Sequence, residues 1–242
     1  MTMIYSNLKE EKNLWKQGRK HVIGLDEVGR GSLAGPVVAA AVSLDYLKLK
    51  NLKLIKNWKL EIENLKIRDS KQLSADAREK YYEILTRHKN IKWGVGIVSE
   101  KIIDKINILE ATKMAMVKAV EDLIYKPQFL IKGSRYNLGQ VKDQRTKTLK
   151  QKFLLIDGNF RIDTKIDQMS IIKGDEKVFS IAAASIIAKV TRDRIMEKMD
   201  EKYPRYGFKN HKGYGTNLHI KNLETFGPCK IHRKSFEPIK KS

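Results

Sequence analysis

Short apolar runs, separated by glycine and polar residues, divide the first part of the chain. Residues 22–25 and 37–42 are two such runs, and they enclose the glycine-rich segment 29–36. Runs of this length between turn residues are typical of buried strands. The pattern therefore predicts two neighbouring strands joined by a tight glycine-rich connection, and a third strand at about Ile91–Val98.

Apolar positions at helical spacing predict three helices. Ser74 is a suitable N-cap for the first, with Asp76 in the first turn. The second runs over about 107–124, and the third over about 180–199, where many alanines would allow close packing on a sheet. The apolar face of the second helix is formed by Leu109, Met116, Val120 and Leu123.

Two further apolar runs each lead to a carboxylate. Residues 153–156 end at Asp157, and residues 169–172 lead through Lys173 and Gly174 to Asp175. Both runs are predicted to be buried strands. Strands first, followed by alternating helices and strands, indicate an α/β protein with a mixed central sheet flanked by helices.

Composition changes suggest how the chain is divided. We expect a larger domain over 1–202 and a small helical extension over 203–242, where glycine, histidine, lysine and aromatic residues become frequent. The segments 47–66 and 132–152 are rich in lysine and polar residues, and we predict that they are solvated loops.

Four carboxylates follow the predicted strands: Asp26, Glu27, Asp157 and Asp175. If they converged they would repel one another strongly unless cations lay between them, and Mg²⁺ takes oxygen ligands of this kind. Such a cluster is a candidate two-metal site for phosphodiester hydrolysis. The alternative is that each acid caps a loop or pairs with a lysine. Because neighbours on a strand point to opposite faces, Asp26 and Glu27 would share a site only where the strand ends, twists or bulges.

The glycine-rich segment matches no nucleotide-binding loop. Its spacing, Gly29-x-Gly31-x-x-x-Gly35, differs from the dinucleotide fingerprint, and no Gly-Lys-Ser/Thr follows it. Glycines do permit close approach of the backbone to a ligand. A simple turn between strands is the alternative.

The charge of the chain favours a polyanionic partner. Forty-nine lysines and arginines against 28 acids give a net charge of +21, which attracts nucleic acid, although a lysine-rich surface can have other origins. Segments 211–215 and 232–234 combine cations with Tyr214, a composition suited to phosphates and bases. With a single cysteine, Cys229, and no long apolar stretch, we expect a cytoplasmic protein that does not enter membranes.

Ordered motifs across residues 14–236 closely resemble the type 2 ribonuclease H family, ribonuclease HII. The matching blocks are Ile23-Gly24-Leu25-Asp26-Glu27-Val28-Gly29-Arg30-Gly31-Ser32-Leu33-Ala34-Gly35-Pro36, Asp69-Ser70-Lys71-Gln72-Leu73-Ser74, Leu155-Ile156-Asp157-Gly158-Asn159, Lys173-Gly174-Asp175, the segment 183–193, Tyr206-Gly207-Phe208, His211-Lys212-Gly213-Tyr214 and His232-Arg233-Lys234-Ser235-Phe236. Ser32 departs from the family, which often has proline there.

The resemblance implies an RNase H-like fold and a two-metal endonuclease that uses Mg²⁺ or Mn²⁺. It implies cleavage of RNA in RNA–DNA hybrids and at single ribonucleotides in duplex DNA, 5′ of the ribonucleotide, leaving 3′-hydroxyl and 5′-phosphate ends, as in ribonucleotide excision repair. The implied metal ligands are Asp26, Glu27, Asp157 and Asp175. The implied substrate contacts are Gly29, Arg30 and Gly31 at the 2′-hydroxyl, Lys71 at a phosphate and Tyr214 at the sugar of the junction.

We expect a monomer. Two rivals remain, a basic RNA-binding protein without catalysis, which explains the charge but not the acids, and a DNA nuclease of similar fold.

Overall fold

The computed structural model describes residues 5–44, 70, 73–125 and 149–241. Within these ranges five strands form one mixed sheet in the order β3-β2-β1-β4-β5. The strands are β1 (His21–Val28), β2 (Val37–Leu44), β3 (Ile91–Val98), β4 (Lys152–Asp157) and β5 (Asp167–Ile171). The predicted α/β class with a mixed central sheet is confirmed.

Helices cover both faces of the sheet. They are α1 (Lys9–Lys16), α2 (Ala75–Arg87), α3 (Glu100–Tyr125), α4 (Gly174–Lys177), α5 (Phe179–Lys202), α6 (Phe208–His211) and α7 (Asn217–Phe226), and a 3₁₀ turn covers Ile239–Lys241. Ser74 caps α2 as predicted, since its Oγ accepts a hydrogen bond from the Ala77 N–H at 3.2 Å. No helix in the described ranges is long and apolar enough to cross a membrane.

Helix α5 packs closely on β1 because Gly24 has no side chain. A Cβ at Gly24 would lie 2.3 Å from the backbone carbon of Ser180, which is a severe overlap. The alanines 182–184 are fully buried in the same contact. The predicted close packing of this helix is confirmed, and α3 covers the opposite face of the sheet.

Helix α3 begins earlier than predicted. Asn107, where the predicted helix starts, interrupts α3 with a φ of 65°. Its side-chain oxygen accepts hydrogen bonds from the backbone N–H groups of Leu109 and Glu110, so it caps the second half of the helix. Leu109 is 37% exposed, so it does not belong to the buried face that Met116 and Leu123 form.

Two further predictions were wrong. The run 169–172 is not a buried strand, because β5 is an edge strand of the sheet. Met169 and Ile172 are 39% and 66% exposed. Lys152 does not belong to a solvated loop, because it begins β4 and is buried. Residues 132–148 and 47–66, the other parts of the two predicted loops, lie outside the described residues.

The direction of the strands determines where the site forms. Strand β1 is parallel to β4, and β4 is parallel to β5, whereas β1 and β2 are antiparallel. The carboxyl ends of three neighbouring strands therefore meet at one edge of the sheet, which is where α/β proteins commonly bind ligands.

Candidate active site

Three carboxylates meet at this edge. Asp26, Asp157 and Asp175 each offer one oxygen, and these oxygens all lie within 4.8 Å of one another. Asp26 and Asp175 are buried, and Asp157 is half-buried. Asp26 lies near the end of β1, Asp157 ends β4, and Asp175 follows β5 in the short helix α4.

The alternation of strand residues explains which acids meet. Asp26 is two residues after Gly24, so it points to the α5 face of the sheet, where Ser185 provides a hydrogen bond. Asp157 is two residues after Leu155, which packs in the same core. Glu27 points to the other face and lies outside the three-carboxylate cluster. As expected for neighbours on a strand, the side chains of Asp26 and Glu27 therefore point to opposite faces of the sheet.

Glu27 nevertheless lies at the same edge. Its Oε1 is 3.2 Å from the Arg30 guanidinium. Among the described residues, its Oε2 is buried without a hydrogen-bond partner. Such an atom is costly to bury, and it indicates that a further group completes the site.

The electrostatics of the cluster are unfavourable without a cation. Burial raises the pKa of Asp26 well above its usual value, and the neighbouring charges of Glu27 and Asp157 raise it further. Burial also raises the pKa of Glu27, although Arg30 opposes this effect. Carboxylates that are drawn together although they repel are typical of functional sites rather than of structural ones.

A tight turn brings Asp175 to the cluster. Lys173 adopts a left-handed conformation, with φ 56° and ψ 46°, and the Gly174 N–H donates to Asp157 Oδ1 at 2.6 Å. A Cβ at Gly174 would overlap Ile181, at 2.6 Å. Gly174 thus lets α4 lie close to Ile181 and beside β4, where Asp175 is next to Asp157.

Gly29 and Gly31 have different surroundings. Gly29 is buried with φ 92°, and a Cβ there would lie 2.2 Å from Arg192 Nε. Gly31 is exposed, and a Cβ there would meet no described atom within 4 Å. The fold thus requires glycine at position 29 but not at position 31.

Two buried arginines hold the glycine-rich loop. Arg192 donates to the carbonyls of Ala34, Pro36 and Lys212, at 3.1, 2.9 and 2.9 Å. Arg233 donates to the carbonyls of Gly29, Arg30 and Gly35, at 2.7, 2.9 and 3.0 Å. Burial, together with Arg192, lowers the pKa of Arg233 to about 9, so it stays charged at neutral pH.

The sequence interpretation of the histidine and arginine segments was partly wrong. Arg233 is fully buried, and His211 and His232 are 7% and 1% exposed. Their polar atoms bond within the protein, so they are not available to neutralise phosphates. No local pattern signals the structural role of Arg233, because its partners lie 198 to 204 residues away in the chain.

Tyr214 lies against the glycine-rich loop. It pairs with Ser32 in an isolated antiparallel bridge, and the Leu33 N–H donates to the Gly213 carbonyl at 2.8 Å. The cations of Arg192 and Lys189 lie 5.4 and 5.9 Å from the centre of its ring. The side chain is half-buried, so part of the ring stays accessible.

Lys71, the remaining predicted contact, lies outside the described residues. Its neighbour Ser70 is buried, and Ser70 Oγ lies 2.9 Å from Ser185 Oγ. Because Ser185 also bonds Asp26, the chain segment next to Lys71 passes close to the carboxylates.

Solved structures share this architecture. The chain matches ribonuclease H2 from Pyrococcus horikoshii OT3 at 22% identity and a TM-score of 0.57, over 91% of this chain and 96% of the other. It matches Bst-RNase HIII in complex with Mn²⁺ at 17% identity and a TM-score of 0.61, over 94% and 70%. The fold and the acidic edge of the sheet define the class as RNase H-like.

Sequence comparison identifies the family. The family model for ribonuclease HII matches residues 23–239. The ribonuclease HII of Bacillus cytotoxicus is 45% identical over 232 residues, which is 96% of this chain and 74% of the relative. The chain belongs to the ribonuclease HII family, and it is therefore a ribonuclease H enzyme.

Proposed function

We propose that the enzyme cuts RNA in RNA–DNA hybrids and at single ribonucleotides in duplex DNA. Cleavage occurs 5′ of the ribonucleotide and leaves 3′-hydroxyl and 5′-phosphate ends. The observation that carries the proposal is the arrangement at one edge of the sheet, where three clustered carboxylates lie beside a glycine-rich loop whose residues Arg30 and Gly31 are exposed. Family membership supports the reaction class.

The donor atoms fit hard divalent cations. All are carboxylate oxygens, the pKa of Asp26 is raised by burial and by neighbouring acids, and Glu27 Oε2 is buried without a partner among the described residues. We propose that Asp26, Glu27, Asp157 and Asp175 hold two Mg²⁺ or Mn²⁺ ions. The related Bst-RNase HIII was solved with Mn²⁺. Bound ions of this kind activate water and stabilise the leaving oxygen.

The chain itself supplies position and charge. The Gly174 N–H holds Asp157 Oδ1, and the Glu27 N–H holds Asp26 Oδ1 at 2.7 Å, so two of the carboxylates are oriented before any substrate binds. Orientation of this kind lowers the cost of reaching the reactive geometry. The net charge of +21 attracts the substrate to the site.

The remaining residues recognise the substrate. We assign Gly29, Arg30 and Gly31 to the 2′-hydroxyl, the group that distinguishes RNA from DNA. Tyr214 packs on the sugar at the RNA–DNA junction, and Lys71 contacts a phosphate. Residues 203–242 act as a substrate-contacting extension of the domain 1–202, whose last helix ends at Lys202. The enzyme is proposed to act as a cytoplasmic monomer.

Matched duplexes test the proposal. Duplexes with zero, one or several ribonucleotides are incubated with Mg²⁺, with Mn²⁺ or with EDTA, and the cut sites are mapped on gels. We expect cleavage only where a ribonucleotide is present, only with a metal ion, and on its 5′ side. Cleavage of the all-DNA duplex would instead indicate a DNA nuclease, and cleavage in EDTA would exclude the metal mechanism.

Two of the loop glycines, Gly29 and Gly31, should separate the effect on stability from the effect on substrate recognition. Gly29→Ala is expected to destabilise the protein by at least about 2 kcal/mol, because of its positive φ and the overlap with Arg192. Gly31→Ala should change stability by less than about 0.5 kcal/mol. It should nevertheless reduce cleavage at least about tenfold, because the added methyl group would keep the substrate from the backbone, and one lost substrate hydrogen bond has about this effect. Denaturant unfolding and cleavage rates measure both. Full activity of Gly31→Ala would contradict the role of this glycine at the substrate.

Asp26→Asn should stabilise the protein in EDTA, increasingly as the pH rises above about 4. Because the pKa of Asp26 is raised in the folded state, its contribution to stability is present at low pH and is lost as the pH rises through the folded pKa. Asparagine avoids this loss, and its side-chain oxygen can still accept from the Glu27 N–H. Thermal unfolding of both proteins between about pH 4 and pH 8 measures the difference, and parallel curves would show that the pKa of Asp26 is not raised in the folded protein.

A further inference from the structure

Three buried histidines lie behind the glycine-rich loop. His211 and His219 stack with ring centres 4.3 Å apart, and His219 Nε2 lies 3.0 Å from His232 Nε2. The ring of Phe208 packs against all three, at 5.5 to 5.8 Å. The proposed reaction uses none of the histidines.

The backbone determines which ring nitrogens carry protons. The Cys229 N–H donates to His232 Nδ1 at 2.9 Å, so this nitrogen has no proton. A neutral His232 is then protonated at Nε2 and donates to His219 Nε2. His219 must therefore carry its proton on Nδ1, which lies 2.9 Å from the Tyr214 carbonyl oxygen and donates to it.

The hydrogen-bond partners of His211 also determine which of its ring nitrogens carries the proton. Its Nδ1 accepts from the Gly213 N–H at 3.2 Å, so its Nε2 carries the proton and donates to the Tyr206 carbonyl at 2.8 Å. All six ring nitrogens thus have partners, and the cluster offers none to a metal ion.

The histidines are neutral at the pH at which the protein would work. Burial and the neighbouring His219 lower the pKa of His232 to about 4. Burial also lowers the pKa values of His219 and His211. A second proton on His219 or His232 would place two donors against each other, so the bonding pattern itself favours the neutral rings.

These bonds connect two chain segments on either side of the loop. Ser32 pairs with Tyr214, and Ala34 pairs with His232. The loop therefore runs between the two segments, and the bond between His219 and His232 joins them behind it. The backbone of Tyr214 is held from the loop side by Ser32 and from the interior by His219.

We propose that His219 is a positioning residue that holds the Tyr214 backbone, and with it the ring, in place for the substrate, and that His232 fixes the tautomer in which His219 donates to Tyr214. The bonds run from the Cys229 N–H through His232 and His219 to the Tyr214 carbonyl. The inference rests on the proposed function, in which Tyr214 packs on the sugar at the junction.

Two substitutions at one position test the proposal. In His219→Asn the amide nitrogen occupies the place of Nδ1 and can still donate to the Tyr214 carbonyl, although the bond to His232 is lost. In His219→Gln the amide oxygen occupies the place of Nε2 and can still accept from His232, but the donor to Tyr214 is lost. Both remove the stacked ring, so their stability losses should be similar. Asp167→Asn, an exposed position outside the substrate-contacting segment 203–242, is the control.

The expected result is a difference in KM. On a duplex with one ribonucleotide, His219→Gln should raise KM about five- to tenfold with less change in kcat, whereas His219→Asn and Asp167→Asn should stay within about twofold of the wild type. If His219 only stabilises the fold, the two His219 variants should show the same change in KM. Thermal unfolding first establishes that both variants are equally folded. Equal KM values, or the reverse order, would overturn the proposal.

A second measurement does not depend on activity. The ¹⁵N spectra of the imidazoles at about pH 7 should show His219 protonated at Nδ1 only and His232 at Nε2 only. The opposite tautomers, or a charged ring, would overturn the bonding pattern. If the wild type fails to cut the duplex, the proposed function fails, and the tautomers still decide whether these bonds exist.

Discussion

Asp157→Asn is expected to reduce cleavage on the order of 10³-fold or more, which corresponds to about 4 kcal/mol of transition-state stabilisation, while binding of the hybrid remains largely intact. Asparagine keeps an oxygen that can accept from the Gly174 N–H, so the turn before Asp175 should remain in place. What the change removes is a negative charge at the centre of the three-carboxylate cluster. Without that charge the affinity for divalent cations should fall.

Asp167→Asn is the matched control for this experiment. Asp167 begins β5, so it lies at the amino end of the strand, away from the carboxylate cluster at the carboxyl ends. It forms an exposed pair with Arg19 at 2.7 Å. Its loss should therefore cost at most about 1 kcal/mol of stability. Single-turnover rates and hybrid affinities are measured for both variants. Wild-type turnover by Asp157→Asn would refute the assignment of the site.

The second large effect distinguishes Asp175 from Asp193. Asp175 is 6% exposed and belongs to the carboxylate cluster, and Asp175→Asn is expected to reduce the rate at least about 100-fold. Asp193 lies on α5 and pairs with Lys189 at 2.8 Å, with 17% of its side chain exposed. Asp193→Asn should change the rate less than about tenfold, since loss of such a pair costs about 1 kcal/mol.

The comparison requires that both variants are folded. Thermal unfolding and circular dichroism establish this before rates are compared under the same metal concentration. If Asp193→Asn is the slower enzyme, the fourth acid has been placed incorrectly, although the nuclease assignment would survive.

Much of the acidic site could be predicted from local patterns. A carboxylate directly after an apolar run lies at the end of a strand, and parallel strands bring such ends to one edge, so the meeting of Asp26 and Asp157 follows from the order of elements. The alternation of strand residues also predicted that Asp26 and Glu27 point to opposite faces, which leaves Glu27 outside the cluster. The position of β5 could not be predicted in the same way, because an apolar run does not show whether a strand lies at the centre or the edge of a sheet.

The supports of the glycine-rich loop could not be predicted either. Arg192 bonds carbonyls up to 158 residues away, and Arg233 bonds carbonyls up to 204 residues away. In sequence they appear as ordinary cations of a basic chain, and only the fold shows that they point inward. The histidines were misinterpreted for the same reason, because most of their partners are backbone groups, which leave no pattern in the sequence.

The buried guanidinium of Arg233 has a consequence for how the enzyme is made. The four acids lie before residue 176 in the chain, whereas the glycine-rich loop at residues 29–36 is held by Arg192 and finally by Arg233. A ribosome synthesises the chain from its amino end, and the early parts of a protein can fold first. The carboxylates can therefore assemble on the nascent chain before the loop is held. The loop to which we assign recognition of the 2′-hydroxyl can be held in full only after Arg233 has been synthesised.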